Sequence, residues 1–292
     1  MLVLALPGAS HIAADLAGHL HCGWSELAVH EFPDGETLVR IDAAVEGRCV
    51  VLTGSLHRPD AKTLPLVFAA DAARELGASQ VGLAAPYLAY MRQDRRFNPG
   101  EAITSRSYAR LLSTSLDFLV TVDPHLHRWR NLDELYPIRT HVVASAPAVA
   151  RWVRENVQAP LLVGPDAESA QWVAEVARLC EASWTVMEKT RRGDRDVSLE
   201  PAAGVSWTGR TPVLVDDIIS TAGTLSTAAR LLRSAGFPSP LCVGVHAVFV
   251  KGAIARLQAA GLKVVTCNTL PHRTNAIDLE GALAVALGRA TP

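Results

Sequence analysis

Apolar and polar positions follow one dominant rhythm: a short aliphatic, often β-branched run, a turn, then an Ala- and Leu-rich stretch with helical spacing. Residues 3–6 read as a strand, and Ser10 is placed to cap a helix running through Leu20. Residues 49–53 form the next strand, and a helix follows near 63–76, ended by Gly77. Runs at 81–85, 118–122 and 141–144 continue the strand series. After Pro147 the pattern restarts, with strands at 161–163, 184–187 and 213–215 and helices at about 168–180 and 224–234. Strand 241–248, helix 253–260, strand 262–267 and helix 279–287 close the chain. Continuous apolar strands alternating with helices predict parallel sheets covered on both faces. The expected fold is therefore α/β, in two similar halves meeting near 140–150. The division is set at 1–145 and 146–292, with the last helix packing back on the first half.

At 292 residues the chain has room for two domains of about 100–200 residues each. Apolar types at 49% and charged types at 20% supply a sizeable core and exclude a disordered chain. Lys and Arg number 28 against 29 Asp and Glu, so no global field attracts nucleic acid or an anionic membrane. Any polyanion must be held by a local site. The five cysteines (Cys22, Cys49, Cys180, Cys242, Cys267) are odd in number and form no CxxC pair. Neither a disulfide framework nor a zinc knuckle is indicated, and a reducing compartment fits better. The opening Met1-Leu2-Val3-Leu4-Ala5-Leu6-Pro7 lacks the basic region of a signal peptide, and its apolar run is short. No stretch approaches the ~20 apolar residues that span a bilayer. A soluble, cytoplasmic protein with no membrane or nucleic-acid partner is expected.

The most informative segment is Val213-Leu214-Val215-Asp216-Asp217-Ile218-Ile219-Ser220-Thr221-Ala222-Gly223-Thr224. An apolar strand delivers two carboxylates to its carboxyl end, where open α/β sheets bind ligands. Small and hydroxylated residues then open a helix whose first N–H groups and dipole favour a phosphate. Gly223 lets backbone approach closely, while Ser220, Thr221 and Thr224 add hydroxyl donors. Asp216 and Asp217 suit sugar hydroxyls or a hydrated Mg²⁺. A lone Asp-Asp pair before a helix is also an ordinary capped turn; the whole string favours a sugar phosphate.

This string resembles the phosphoribosyl-pyrophosphate loop of the type I phosphoribosyltransferase fold. By itself it leaves open the transferases and the synthetase that makes their shared substrate. Phe32-Pro33-Asp34-Gly35-Glu36 and Pro86-Tyr87-Leu88-Ala89-Tyr90-Met91-Arg92-Gln93-Asp94-Arg95-Arg96-Phe97-Asn98-Pro99-Gly100-Glu101 decide between them. Both are similar to nucleotide-binding motifs of the ribose-phosphate pyrophosphokinase family, and the brevity of the chain resembles its compact archaeal-type branch. The resemblance implies two phosphoribosyltransferase-like domains with the active site between them. It implies Mg²⁺-dependent transfer of the β,γ-diphosphoryl group of ATP to the C1 hydroxyl of ribose 5-phosphate, leaving AMP.

Residue by residue, it implies that Phe32 stacks on adenine while Asp34, Gly35 and Glu36 read its polar edge from a neighbouring subunit of a homo-oligomer. Arg92, Gln93 and Asp94 hold the rest of the nucleotide, since guanidinium forks match phosphate oxygens. His125, in Asp123-Pro124-His125-Leu126-His127, and Asp166, in Gly164-Pro165-Asp166, contact the metal. Without a third Cys or His nearby, His125 and His127 make a poor zinc pair. Lys189 and Arg191 match the family's catalytic arm, and Arg191 also reaches the sugar phosphate. Asp216, Asp217, Ser220, Thr221, Ala222, Gly223 and Thr224 bind ribose 5-phosphate.

Two positions depart from the family pattern. Ala167-Glu168-Ser169 follows Asp166 where glycine-rich sequence is usual, and Ser220 stands where many members carry Asp. Glu168 either repels the sugar's phosphates or caps the helix that begins there. Two alternatives remain: a phosphoribosyltransferase, which has no use for Phe32 or Arg92, and a non-catalytic protein that regulates an active synthetase.

Overall fold

The computed structural model describes residues 1–126, 128–187 and 209–291. The chain falls into two compact units, Met1–Val143 with Glu280–Pro292, and Ala144–Leu279. In the first, strands β1 (Leu2–Ala5), β2 (Gly23–Glu31), β3 (Thr37–Ile41), β4 (Cys49–Thr53), β5 (Gln80–Ala85), β6 (Phe118–Val122) and β7 (Arg139–Val143) form one sheet. Its order is β3-β2-β1-β4-β5-β6-β7. The β2–β3 pair is antiparallel and the other pairings are parallel. Leu4, Leu52, Leu83 and Leu119 stand in register across four strands and are fully buried. Each such side chain contributes about 1.5–3 kcal/mol relative to exposure. Helices α1 (Ser10–His19), α2 (Asp60–Glu75) and α3 (Thr104–Ser115) belong to the same unit.

The second unit opens with α4 (Ala146–Asn156) and contains β8 (Pro160–Gly164), α5 (Ala170–Cys180), β9 (Ser183–Val186), β10 (Thr211–Ile218), α6 (Gly223–Ser234), β11 (Leu241–His246), α7 (Ala253–Ala259), β12 (Lys263–Cys267) and β13 (Asn275–Ile277). The strands run β13-β12-β11-β10-β8-β9, all parallel. Val163, Leu214 and Cys242 form its in-register buried row. The last helix, α8 (Glu280–Ala290), packs on β6, β7 and α1 of the first unit. No helix among the described residues is long and apolar enough to cross a membrane.

Several elements escape the hydrophobic rhythm. The β2–β3 hairpin alternates Leu27 and Val29 with exposed Glu26 and His30, so only one face is apolar. Helix α3 buries Tyr108, Ala109 and Leu112 beneath a face of Ser and Arg residues. Helix α4 carries Pro147 in its first turn, where the missing N–H has no intrahelical partner to lose. What reads as a break is a helix start. Ser10 does not cap α1: the N-cap is Ala9, and Ser10 Oγ donates to Glu26 Oε1 at 2.5 Å.

Candidate active site

Ligands of parallel sheets sit beyond the strands' carboxyl ends, and the motif residues of each unit gather at that edge. Four residues with side chains at left-handed φ lie there as well: Arg58 (52°) after β4, Tyr90 (60°) after β5, Asp123 (28°) after β6 and Ala222 (65°) after β10. Such backbone costs on the order of 1–3 kcal/mol each and persists where the surroundings enforce it.

In the second unit, Asp216 and Asp217 stand just before the last residue of β10, Ile218, whose N–H donates to Asp217 Oδ1 at 2.8 Å. Burial first, then the negative charges of Asp217 and Asp166, push the Asp216 carboxyl well above the usual range. A row of acids in that state favours a cation or donors brought by a ligand. The following loop is tied to β11 by Ile219 N–H donating to His246 O at 3.0 Å. Its left-handed residue is Ala222, the N-cap of α6, and not Gly223. A Cβ added at Gly223 meets only Thr221 Oγ1 at 3.8 Å, so no close approach within the chain requires that glycine. A left-handed residue before a right-handed helix turns successive N–H groups into one concavity.

Asp166 closes the turn after β8. Its Oδ1 accepts from the N–H groups of Glu168 (3.1 Å) and Ser169 (3.2 Å), and Ser169 Oγ donates back to Asp166 O at 2.7 Å. Asp166 is thus the cap of the 3₁₀ turn leading into α5, and Glu168 is an exposed residue inside that turn. The capping hydrogen bonds are thus Asp166's, and Glu168 is the acidic residue of the first turn.

In the first unit, residues 32–36 form the turn of the β2–β3 hairpin. Phe32 N–H donates to Glu36 O and Gly35 N–H to Phe32 O, both at 2.8 Å, and Glu36 N–H donates to Asp34 Oδ1 at 3.1 Å. Gly35 sits at φ +90°, open to glycine and costly for other residues. Phe32, Asp34 and Glu36 are exposed, and Phe32 stacks edge-on against His30 at 4.9 Å.

In the segment after β5, Tyr90 tilts against Tyr108 at 4.7 Å and donates its hydroxyl to Asp60 at the start of α2. Arg92 is exposed; Gln93 Nε2 donates to Glu101 Oε2 at 3.2 Å; Asp94 is buried with Arg128 Nε at 3.6 Å. Glu101 ties the loop, taking the N–H groups of Phe97 (2.8 Å) and Asn98 (3.0 Å) and the Asn98 side chain (2.6 Å). Those donors, the Asn98 amide foremost, hold its carboxyl below the usual range. His125 follows β6 and is half-buried. Lys189, Arg191 and His127 lie outside the described residues.

The contacts of Tyr90 with Asp60 and of Arg128 with Asp94 are not legible in the sequence, and Glu101 stands there only as part of a motif. The one available signal was Tyr90's place inside that motif.

For a divalent cation, the donor set in hand is carboxylate oxygen at Asp166, Asp216 and Asp217. Among the described residues no ready-made cluster of three or more His, Cys, Asp or Glu ligands is present. Mg²⁺ asks for none: it keeps waters and binds through one or two carboxylates plus substrate phosphates. Beyond burial, the charges of Asp217 and Asp166 push Asp216 up, and such an ion would relieve that part, so the residues fit it.

Two parallel-sheet units, one carrying a carboxylate pair ahead of a phosphate-type loop, define a phosphoribosyltransferase-type protein. Residues 1–115 match the family model for the N-terminal domain of ribose phosphate pyrophosphokinase, and residues 132–280 that for the phosphoribosyl transferase domain. A ribose-phosphate pyrophosphokinase of Methanopyrus kandleri is 33% identical over 98% of this chain and 98% of its own. That of Saccharolobus solfataricus is 32% identical over 88% and 89%. The phosphoribosylpyrophosphate synthetase structure from Mycobacterium smegmatis shares the fold, with TM-score 0.85 and 24% identity over 98% of this chain and 97% of that one. The chain belongs to the ribose-phosphate pyrophosphokinase family.

Proposed function

We propose that the protein is an ATP:D-ribose-5-phosphate diphosphotransferase. The C1 hydroxyl oxygen of ribose 5-phosphate attacks the β-phosphorus of ATP. The bond from that phosphorus to the α,β-bridging oxygen breaks, AMP leaves, the hydroxyl proton is released, and 5-phosphoribosyl 1-diphosphate forms. What carries this reading is the joining, in one family-matched chain, of the nucleotide motifs of residues 1–115 to the sugar-phosphate loop after β10.

Diphosphoryl transfer asks a protein mainly for positioning and for charge opposite the developing negative oxygens. The loop 220–224 takes the 5-phosphate on its N–H groups and hydroxyls, while Asp216 and Asp217 accept from ribose hydroxyls. Phe32 supplies an aromatic face for adenine, and Asp34 and Glu36 accept from its exocyclic amine. Arg92 and Gln93 grip the nucleotide's phosphates, with Asp94 and Arg128 bracing the loop behind them. Asp166 in the second unit and His125 in the first would each offer Mg²⁺ a ligand, and the ion would supply positive charge against the phosphates. Lys189 and Arg191 close on the transferring group. Phe32 stands exposed at a hairpin tip, and the family resemblance is what assigns it to the site of a neighbouring subunit in a homo-oligomer. The balanced charge and the substrates suit a cytoplasmic enzyme.

Incubating the protein with Mg-ATP and ribose 5-phosphate tests the assignment directly. AMP and 5-phosphoribosyl 1-diphosphate are expected in equal amounts. No AMP from a folded protein counts against the activity and favours a regulatory partner.

A further inference from the structure

A loop that binds phosphate through its N–H groups must turn its carbonyls the other way, and here three consecutive carbonyls are held back. Ser220 O accepts from Val250 N–H at 3.3 Å, Thr221 O from Arg256 Nη1 at 3.0 Å, and Ala222 O from Ser226 N–H at 3.0 Å. In a planar trans peptide the N–H points opposite to the carbonyl. Holding these oxygens therefore aims the N–H groups of Thr221, Ala222 and Gly223 away from the scaffold. The outer two anchors come from backbone; only the middle one is a side chain, reaching from α7, 35 residues downstream.

The middle peptide is also the unstable one. Ala222 sits at φ +65°, ψ 10°, a left-handed conformation that a residue with a Cβ resists. Rotating the Thr221–Ala222 peptide by about 180° carries φ of Ala222 to roughly −115° at ψ 10°, off the left-handed region and beside the bridge region. The same flip swings the Thr221 carbonyl to where the Ala222 N–H had been, presenting an oxygen to the anion. Escape of Ala222 from positive φ and loss of the phosphate site are one motion, and the Arg256 bond opposes it.

We propose that Arg256 is a positioning residue that bars this flip and so keeps the loop able to bind the 5-phosphate of ribose 5-phosphate. The inference rests on the activity proposed above, and it adds a residue that need not touch the substrate.

The test compares Arg256→Met, which keeps the aliphatic stem without donors, with Arg256→Lys, which restores one donor. Steady-state kinetics and melting curves are measured for wild type, both variants, and Arg256→Met in an Ala222→Gly background. Arg256→Met is expected to raise KM for ribose 5-phosphate roughly two- to tenfold, the range for losing one hydrogen bond that water competes for. KM for ATP should stay within about twofold and the melting temperature should hold, since the bond is exposed. Lysine should recover most of the loss. With glycine at 222 the left-handed form carries no strain, so removing Arg256 should cost less. An active wild type whose Arg256→Met variant keeps its sugar KM overturns the brace alone. So does an equal loss with either residue at 222, or a rise in both KM values with a lower melting temperature. An inactive wild type overturns the activity and the brace together.

Discussion

The carboxylate of Asp166 accepts the backbone N–H of Glu168 at 3.1 Å, which makes the first of these acids the structural cap and leaves the second as charge. Their substitutions should separate accordingly. Asp166→Asn keeps an acceptor for the two N–H groups and removes the charge, so stability should hold while Mg²⁺-dependent turnover falls. Asp166→Ala should lose both, with about 1 kcal/mol of stability gone. Glu168→Gln should lower KM for ribose 5-phosphate and leave the melting temperature and ATP KM alone. At ~4 Å two like charges in a partly solvated site cost on the order of 1–4 kcal/mol. Kinetics and a melting curve on the three variants decide; an unchanged sugar KM in Glu168→Gln removes Glu168 from the site.

Gly164 governs the same turn from behind. A Cβ there would lie 2.3 Å from Ser169 Oγ and 3.0 Å from Val186 Cγ1. Gly164→Ala should therefore cost about 1–3 kcal/mol by overpacking. Removing the obstructing hydroxyl with Ser169→Ala should return part of that in the double variant, a coupling that chemical denaturation measures. Additive losses would mean that the clash is relieved elsewhere.

How much of this was legible beforehand follows from what each feature depends on. The continuous apolar runs of β4, β5 and β10 read as buried parallel strands because both faces are covered by protein. The β2–β3 hairpin did not, because Glu26, His30 and Arg40 stand on an exposed face and dilute the apolar signal. The sugar-phosphate loop was visible as a string, since its chemistry is contiguous. Gly223 read as the point of close backbone approach, but nothing within the chain crowds it, and the left-handed residue is its neighbour Ala222. Arg256 and Arg128 were invisible because their partners, Thr221 and Asp94, meet them only through the fold.

Asp216 offers a test in which stability and function move in opposite directions. Its folded carboxyl titrates above the ordinary aspartate value through burial and the charges of Asp217 and Asp166. The folded state thus holds a proton that the unfolded chain has released. Stability falls as pH rises through the ordinary value of ~3.9 towards the raised one. Asp216→Asn has no such slope. In EDTA it should melt higher than wild type at pH 8, by roughly 2–4 °C for each kcal/mol of relieved repulsion. That gain should disappear below pH 4, while affinity for ribose 5-phosphate is reduced. A variant that melts lower at pH 8 would show that Asp216 is stabilised by its surroundings.

Shared assembly of the adenine site has a sharper test than oligomer size. Phe32 is 41% exposed at the tip of a hairpin that holds its own shape through three backbone N–H bonds. Phe32→Ala should therefore fold normally and lose ATP affinity, because a stacking face is removed and little core is disturbed. Lys189→Ala should keep ATP affinity and lose about 10²-fold in kcat, the usual loss for one donor acting on transition-state charge. If Phe32 serves a neighbour's site, the two lesions sit in different copies of a mixed oligomer, and some sites escape both. Co-refolding the variants should then recover activity well above that of either alone, with subunit exchange confirmed by light scattering and mass spectrometry. If mixed oligomers form and activity stays at the level of the single variants, Phe32 and Lys189 serve sites within one chain and the shared site is wrong.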